Sequence, residues 1–242
     1  MNAVSCAILV GTQREGSEQN MDYSSRMNEQ TRKDKREMSV GHAHHHGVNH
    51  AFDPKRLLAM EESRTTFMPP EPILARFLTR PSMTVADIGC GAGYFTLPAA
   101  KLLTQGKVYA IDRQENMVDF TTQRANEAGL TNILGVVASA TDLPLADKSV
   151  DAVLMSMVFH DIPEQSAILS EVRRVLVPAG TLYLVEWDKV GTRSGPPMEI
   201  RLRPEELQGI LESAGFVVRE ITHSDVEQAV YFVHAEFPAT TA

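Results

Sequence analysis

The residues best placed to do chemistry are a glycine run and the acids that flank it. Asp87-Ile88-Gly89-Cys90-Gly91-Ala92-Gly93 follows a short apolar stretch, so the backbone can turn tightly and let a ligand approach closely. The spacing is G-x-G-x-G. Tyr94 stands where a dinucleotide loop of the form G-x-G-x-x-G has its third glycine. Asp87, two residues before the first glycine, suits a cationic or hydrogen-bond-donating ligand, which a pyrophosphate is not; a turn former at a strand end is the plainer role. Asp112 ends the next apolar stretch, where a carboxylate can accept both hydrogens of a ribose cis-diol or cap the following helix. His160, beside Asp161, titrates near neutral pH and is the best candidate general base; positioning of an acceptor is its other reading.

These groups need a frame, and the apolar pattern predicts one. Asp53 and Pro54 start a helix over Lys55 to about Ser63, and Pro70–Thr79 reads as a second amphipathic helix. Strands are expected over Met83–Ile88, Lys107–Ile111, Ile133–Ala138, Val150–Ser156 and Thr181–Trp187, then Val217–Thr222 and Ala229–Phe237. Helices fall between them, over Tyr94 to about Thr104, Gln114–Ala128, Glu164–Leu176 and Pro204–Ala214. Such alternation predicts an α/β, doubly wound Rossmann-like sheet with N-terminal helices. The final connection, His223–Gln228, is too short for a parallel crossover, so the last two strands form an antiparallel hairpin. Ligands in such sheets bind at the carboxyl ends of the strands, where Asp87, the glycines and Asp112 lie.

Composition excludes several classes. The 242 residues carry 31 acids against 23 Lys and Arg, a balance that disfavours a nucleic-acid partner. The two cysteines, Cys6 and Cys90, support neither a disulfide framework nor a cysteine zinc site, and no apolar run reaches membrane-span length. Residues 1–50 hold as many bases (Arg14, Arg26, Arg32, Lys33, Lys35, Arg36) as acids (Glu15, Glu18, Asp22, Glu29, Asp34, Glu37), so the net charge of −8 falls on residues 51–242. We expect 1–50 to be a disordered, His-rich leader and 51–242 the working domain, with 53–80 a helical lid and 83–237 the α/β core. Ala3–Val10 lacks the preceding basic residues of a secretion signal, which points to a cytoplasmic protein. His42, His44, His45, His46 and His50 could bind a metal adventitiously, but no scaffold is predicted there and no metal role is assigned.

Five motifs in order resemble the class I S-adenosylmethionine-dependent methyltransferases, in the ubiquinone/menaquinone-biosynthesis branch. They are Val85–Gly93, Val108–Asp112, Ala140–Leu145 with Ser149-Val150-Asp151, Glu171–Leu176, and Pro178–Leu182. The resemblance covers roughly residues 50–237 and implies strand order 3-2-1-4-5-7-6, the last strand antiparallel. It implies S-adenosyl-L-methionine as methyl donor and a small-molecule methyl acceptor. Asp87 with Gly89, Cys90, Gly91, Ala92 and Gly93 would hold the methionine part, and Asp112 with Arg113 the ribose. Met117 would pack on ribose or adenine or serve as a core methionine, Asp142 would meet the adenine amino group or form a plain turn before Pro144, and Thr141 and Leu143 would flank the ring. Met157 and His160 lie where family members approach the reacting methyl. The family's Pro-Gly-Gly is Pro178-Ala179-Gly180 here, and Gly180 is expected to keep the permissive backbone position. The lid helices and residues 188–203 are expected to select the acceptor, with Phe67, Met68 and Phe159 as an apolar wall or as plain core. A donor-binding sensor without turnover and an NAD-dependent oxidoreductase are the alternatives.

Overall fold

Short apolar runs separated by helices can bury both faces only in a covered parallel sheet, and this is what forms. The computed structural model describes residues 52–192 and 195–239. The expected leader and its histidine cluster lie outside the described residues. Seven strands run β1 (Thr84–Ile88), β2 (Lys107–Asp112), β3 (Ile133–Val137), β4 (Val150–Ser156), β5 (Leu176–Trp187), β6 (Val217–His223) and β7 (Val230–Glu236). Their order in the sheet is 3-2-1-4-5-7-6. Strands β1 to β5 pair in parallel, whereas β7 is antiparallel to both β5 and β6.

The helices are α1 (Pro54–Ala59), α2 (Glu61–Phe67), α3 (Pro70–Leu74), α4 (Thr96–Leu102), α5 (Glu115–Glu127), α6 (Gln165–Val175) and α7 (Pro204–Ser213). Alternate strand residues feed two cores. Val85, Ala152, Leu154, Tyr183 and Val185 face the layer of α2 to α4, while Ala86, Val153, Met155, Leu182 and Leu184 face α6 and α7. Met68 belongs to the first core and Phe159 to the second, so the expected Phe67–Met68–Phe159 wall does not form. Met68 follows α2 on one face of the sheet, and Phe159 lies in the turn after β4 and packs on the other.

Element bounds differ from expectation in three places. The Asp53 side chain accepts from the Lys55 N–H as a cap should, but the first helix breaks at Met60 into α1 and α2. The Pro70 helix ends at Leu74, where three-residue hydrogen bonds such as Arg76 N–H to Ile73 O tighten the chain. Strand β5 begins at Leu176 and carries Pro178-Ala179-Gly180 in a bulge where its register against β4 shifts. Within that bulge Ala179, not Gly180, takes the left-handed backbone (φ 62°). Gly180 is needed for space instead, since a Cβ there would lie 2.8 Å from Val177 O.

Candidate active site

The site grows from the end of β1. The N–H groups of Gly89 and Cys90 both donate to Ile111 O (2.7 and 3.0 Å), which folds the chain back over β2. Gly89, Gly91 and Gly93 all have positive φ, and a Cβ at Gly89 would lie 2.3 Å from Val158 Cγ2. Val158 therefore seats the turn after β4 directly on the glycine loop. From the other side Leu57 of α1 approaches Gly91, where a Cβ would lie 3.1 Å from its Cδ1.

Two carboxylates frame this loop. Asp87 is 3% exposed and accepts from the Thr96 hydroxyl at 2.6 Å. Burial raises its pKa to about 7; the Thr96 hydrogen bond opposes the rise and the charge of Asp112 adds to it. Among the described residues no ion pair holds it. Asp112 accepts from the Gly91 N–H (3.1 Å) and from the Gln114 N–H (3.0 Å), so it ties the loop to the start of α5. The N-cap of α5 is Gln114, so Asp112 acts one step earlier, on the backbone N–H of the capping residue. Cys90 is buried, and burial pushes its thiol pKa up, which keeps it an unreactive packing residue.

The remaining expected donor-side residues divide by exposure. Met117 is 1% exposed inside α5, while Arg113 is exposed at the end of β2. Thr141 and Asp142 sit in a turn after β3, where Asp142 N–H donates to Ser139 O and its side chain is exposed. Leu143 is buried, and its N–H donates to Glu171 Oε2 at 2.8 Å. Arg174 completes this turn by donating to Leu143 O, Leu145 O, Asp147 and both Glu171 oxygens. That is the physical content of the Glu171–Leu176 motif, which the sequence shows without its reason. Met157 has φ 57° and donates its N–H to Val185 O, so the chain turns sharply off β4 toward His160.

His160 has a partner that sequence reasoning missed. Its Nδ1 lies 2.5 Å from Glu186 Oε2, and the Phe159 N–H donates to Glu186 Oε1 at 3.0 Å. Glu186 is fully buried on β5. The signal was available as the one acid in the apolar run Leu182–Trp187. A carboxylate only accepts, so Nδ1 carries its proton toward Glu186, while Nε2 lies 3.5 Å from Asp161 Oδ1. Burial pulls the imidazole pKa down, but the charge and hydrogen bond of Glu186, with Asp161, outweigh it and the net shift is upward. Nearby Arg201, 4% exposed, opposes that rise. It stacks on Trp187 at 5.2 Å and donates to Pro196 O, Val190 O and Thr192 Oγ1. Sequence reasoning assigned residues 188–203 to the acceptor side without seeing that Arg201 organises them.

Helix α2 and the residue after it are fastened to the same loop. Arg124 of α5 donates to both Glu61 oxygens (2.5 and 3.0 Å) and to Ala92 O. The Tyr94 hydroxyl donates to Met68 O at 2.9 Å. The described residues contain no group of three or more His, Cys, Asp or Glu that could hold a metal, and no helix long and apolar enough to cross a membrane.

A sheet of order 3-2-1-4-5-7-6 with a glycine cradle and strand-end acids at β1 and β2 defines a class I S-adenosylmethionine-binding fold. The comparisons bear this out. The family described as "Methyltransferase domain" matches residues 86–184. A solved S-adenosylmethionine-dependent methyltransferase from Aquifex aeolicus is 34% identical with a TM-score of 0.71, over 77% of this chain and 100% of that one. The chain belongs to the S-adenosylmethionine-dependent methyltransferases, whose co-substrate is S-adenosyl-L-methionine. Demethylmenaquinone methyltransferases from Geobacillus stearothermophilus (29% identical over 115 residues) and Staphylococcus aureus (32% over 108) are similar over 47% and 44% of this chain. Those matches span 49% and 44% of the relatives, so the chain covers about half the length of the curated proteins it matches. The [4+2]-cyclase SpnF, 18% identical with a TM-score of 0.63, shares the fold alone.

Proposed function

We propose that this chain moves the methyl group of S-adenosyl-L-methionine onto a small-molecule acceptor whose nucleophile must lose a proton. The observation that carries this reading is the seat of Val158 on Gly89, two residues before His160, whose imidazole pairs with buried Glu186. When bound, the donor supplies an electrophilic methyl on a sulfonium centre. Asp87, buried without a cation, suits the donor's ammonium group, and Asp112 suits the ribose diol beside exposed Arg113. Met117, Thr141, Asp142 and Leu143 line the adenine side, with Met157 toward the sulfonium. Donor and acceptor held in line supply most of the rate, and His160 Nε2 takes the acceptor's proton while Glu186 steadies the imidazolium.

The names of the half-length relatives support a narrower acceptor, a hydroxylated aromatic ring of the quinol type. A phenol is also the kind of nucleophile for which a base of raised pKa is useful. Calorimetric titration with S-adenosylhomocysteine and NAD⁺ tests the donor, and a screen of hydroxylated aromatics with labelled donor tests the acceptor. Binding of the homocysteine product but not NAD⁺, with label entering a phenolic acceptor, is expected. NAD⁺ binding in its place sinks the proposal. Product binding without any labelled acceptor would favour the sensor.

A further inference from the structure

Helix α2 carries a guanidinium that no acid among the described residues holds. Arg64 is half-buried and its Cζ lies 5.9 Å from the centre of the Tyr94 ring. The acid one turn before it, Glu61, is engaged through both oxygens by Arg124. Burial lowers the Arg64 pKa, and Tyr94 and Glu61 only partly oppose this. A half-buried cation carries a desolvation cost that an anion normally offsets.

The surroundings say which anion. Glu61, Arg64 and Met68 recur at helical spacing and share one face. That face meets the glycine loop, because Glu61 reaches Ala92 O through Arg124 and Met68 O accepts from Tyr94. Tyr94 directly follows Gly93 and stands two residues before Thr96, the partner of Asp87. Residues 87–96 therefore carry a carboxylate with no cationic partner among the described residues, bonded back onto Thr96, and over Tyr94 a guanidinium with no acid. Asp87 points to the layer of α2 and α4, since its neighbours Ala86 and Ile88 face the opposite core. The methionine part of the donor bears an ammonium and a carboxylate on a single carbon. Asp87 matches the first and leaves the second without a partner.

We infer that Arg64 takes the α-carboxylate of the donor's methionine part, so that the loaded donor itself bridges lid and loop. This rests on the donor assignment above and adds a binding residue to it. The full-length chain is titrated calorimetrically with S-adenosylhomocysteine and with S-adenosyl-3-thiopropylamine, which lacks only the carboxylate. The wild type is expected to favour the first about 10- to 100-fold, the range of a charge-assisted pair. Arg64→Met is expected to lose that preference by weakening the carboxylate ligand alone, and Arg64→Lys to recover part of it. The lysine variant keeps a cation against Tyr94 and also serves if the methionine variant melts early. Equal weakening of both ligands would show that Arg64 merely packs on Tyr94, and overturns the inference. No binding of either ligand to the wild type overturns the donor assignment as well.

Discussion

His160 and Glu186 meet across the ends of β4 and β5, with Nδ1 2.5 Å from an oxygen of a fully buried carboxylate. Glu186→Gln keeps an acceptor for the Phe159 N–H but removes the charge that overcomes burial. His160 should then titrate below 6.5 rather than above it, as read by NMR of the imidazole. The sign for stability follows. A raised folded pKa contributes fully below the unfolded value and is lost as pH rises through the folded one. The variant should therefore lose about 1–3 kcal/mol at pH 6 and less at pH 9 in denaturant melts. Transfer to a proton-losing acceptor should fall roughly 100-fold. An unchanged His160 titration would remove Glu186 from this role.

On the proposed donor assignment, Asp87 makes that site pH-sensitive. Its folded pKa of about 7 is raised above the ordinary 3.8, so stability without donor declines as pH rises between those values. Asp87→Asn removes that decline. The unliganded variant should gain about 1–3 kcal/mol at pH 8 over the wild type while binding S-adenosylhomocysteine at least about tenfold more weakly. In the wild type, affinity should fall as pH drops below 7, because an ammonium prefers the carboxylate. A flat affinity between pH 5.5 and 8 would contradict this.

Two glycines with similar backbones separate strain from crowding. Gly89 (φ 77°) has Val158 2.3 Å from a built Cβ, while Gly129 (φ 69°) has nothing within 4 Å. Alanine at 129 should cost only the left-handed backbone, about 1–2 kcal/mol, and leave donor binding intact. Alanine at 89 adds overpacking of about 1–3 kcal/mol and should abolish detectable S-adenosylhomocysteine binding. Thermal melts with paired calorimetry distinguish them.

Arg174 holds the turn proposed for the adenine side through two carbonyls and two acids. Arg174→Met should cost about 2 kcal/mol and weaken S-adenosylhomocysteine and free adenosine by the same factor, since the loss lies on the nucleoside side. A loss confined to S-adenosylhomocysteine would argue against that placement.

Ala179 carries a left-handed backbone that glycine adopts without strain. Ala179→Gly should stabilise the protein by about 0.5–1 kcal/mol, after the entropy glycine adds to the unfolded chain, and leave ligand binding unchanged. A fall in melting temperature would show that the bulge does not strain the alanine.

What the sequence determined on its own is local. The glycine run, the acids closing two apolar strands, the Asp53 cap and the alternation of strands with helices are each written in a few neighbouring residues. They suffice for the fold class and the family. Tertiary structure decided the rest, because it depends on which side of a pleated sheet a residue faces and on contacts far apart in the chain. Glu186 stands out as an acid in an apolar strand, yet only the parallel pairing of β4 with β5 brings it to His160, 26 residues away. Arg124 meets Glu61 from 63 residues away, and the glycine-loop carbonyl of Ala92 from 32. Phe159 and Met68, both apolar, fall into opposite cores because the turn after β4 and the end of α2 pack on different faces of the sheet. Ala179 in place of Gly180 at the left-handed position followed from the bulge, whose register is set jointly by β4 and the antiparallel β7. Residue type and spacing specify what a group can do, but a buried charge acquires its role from the partner that packing sets against it.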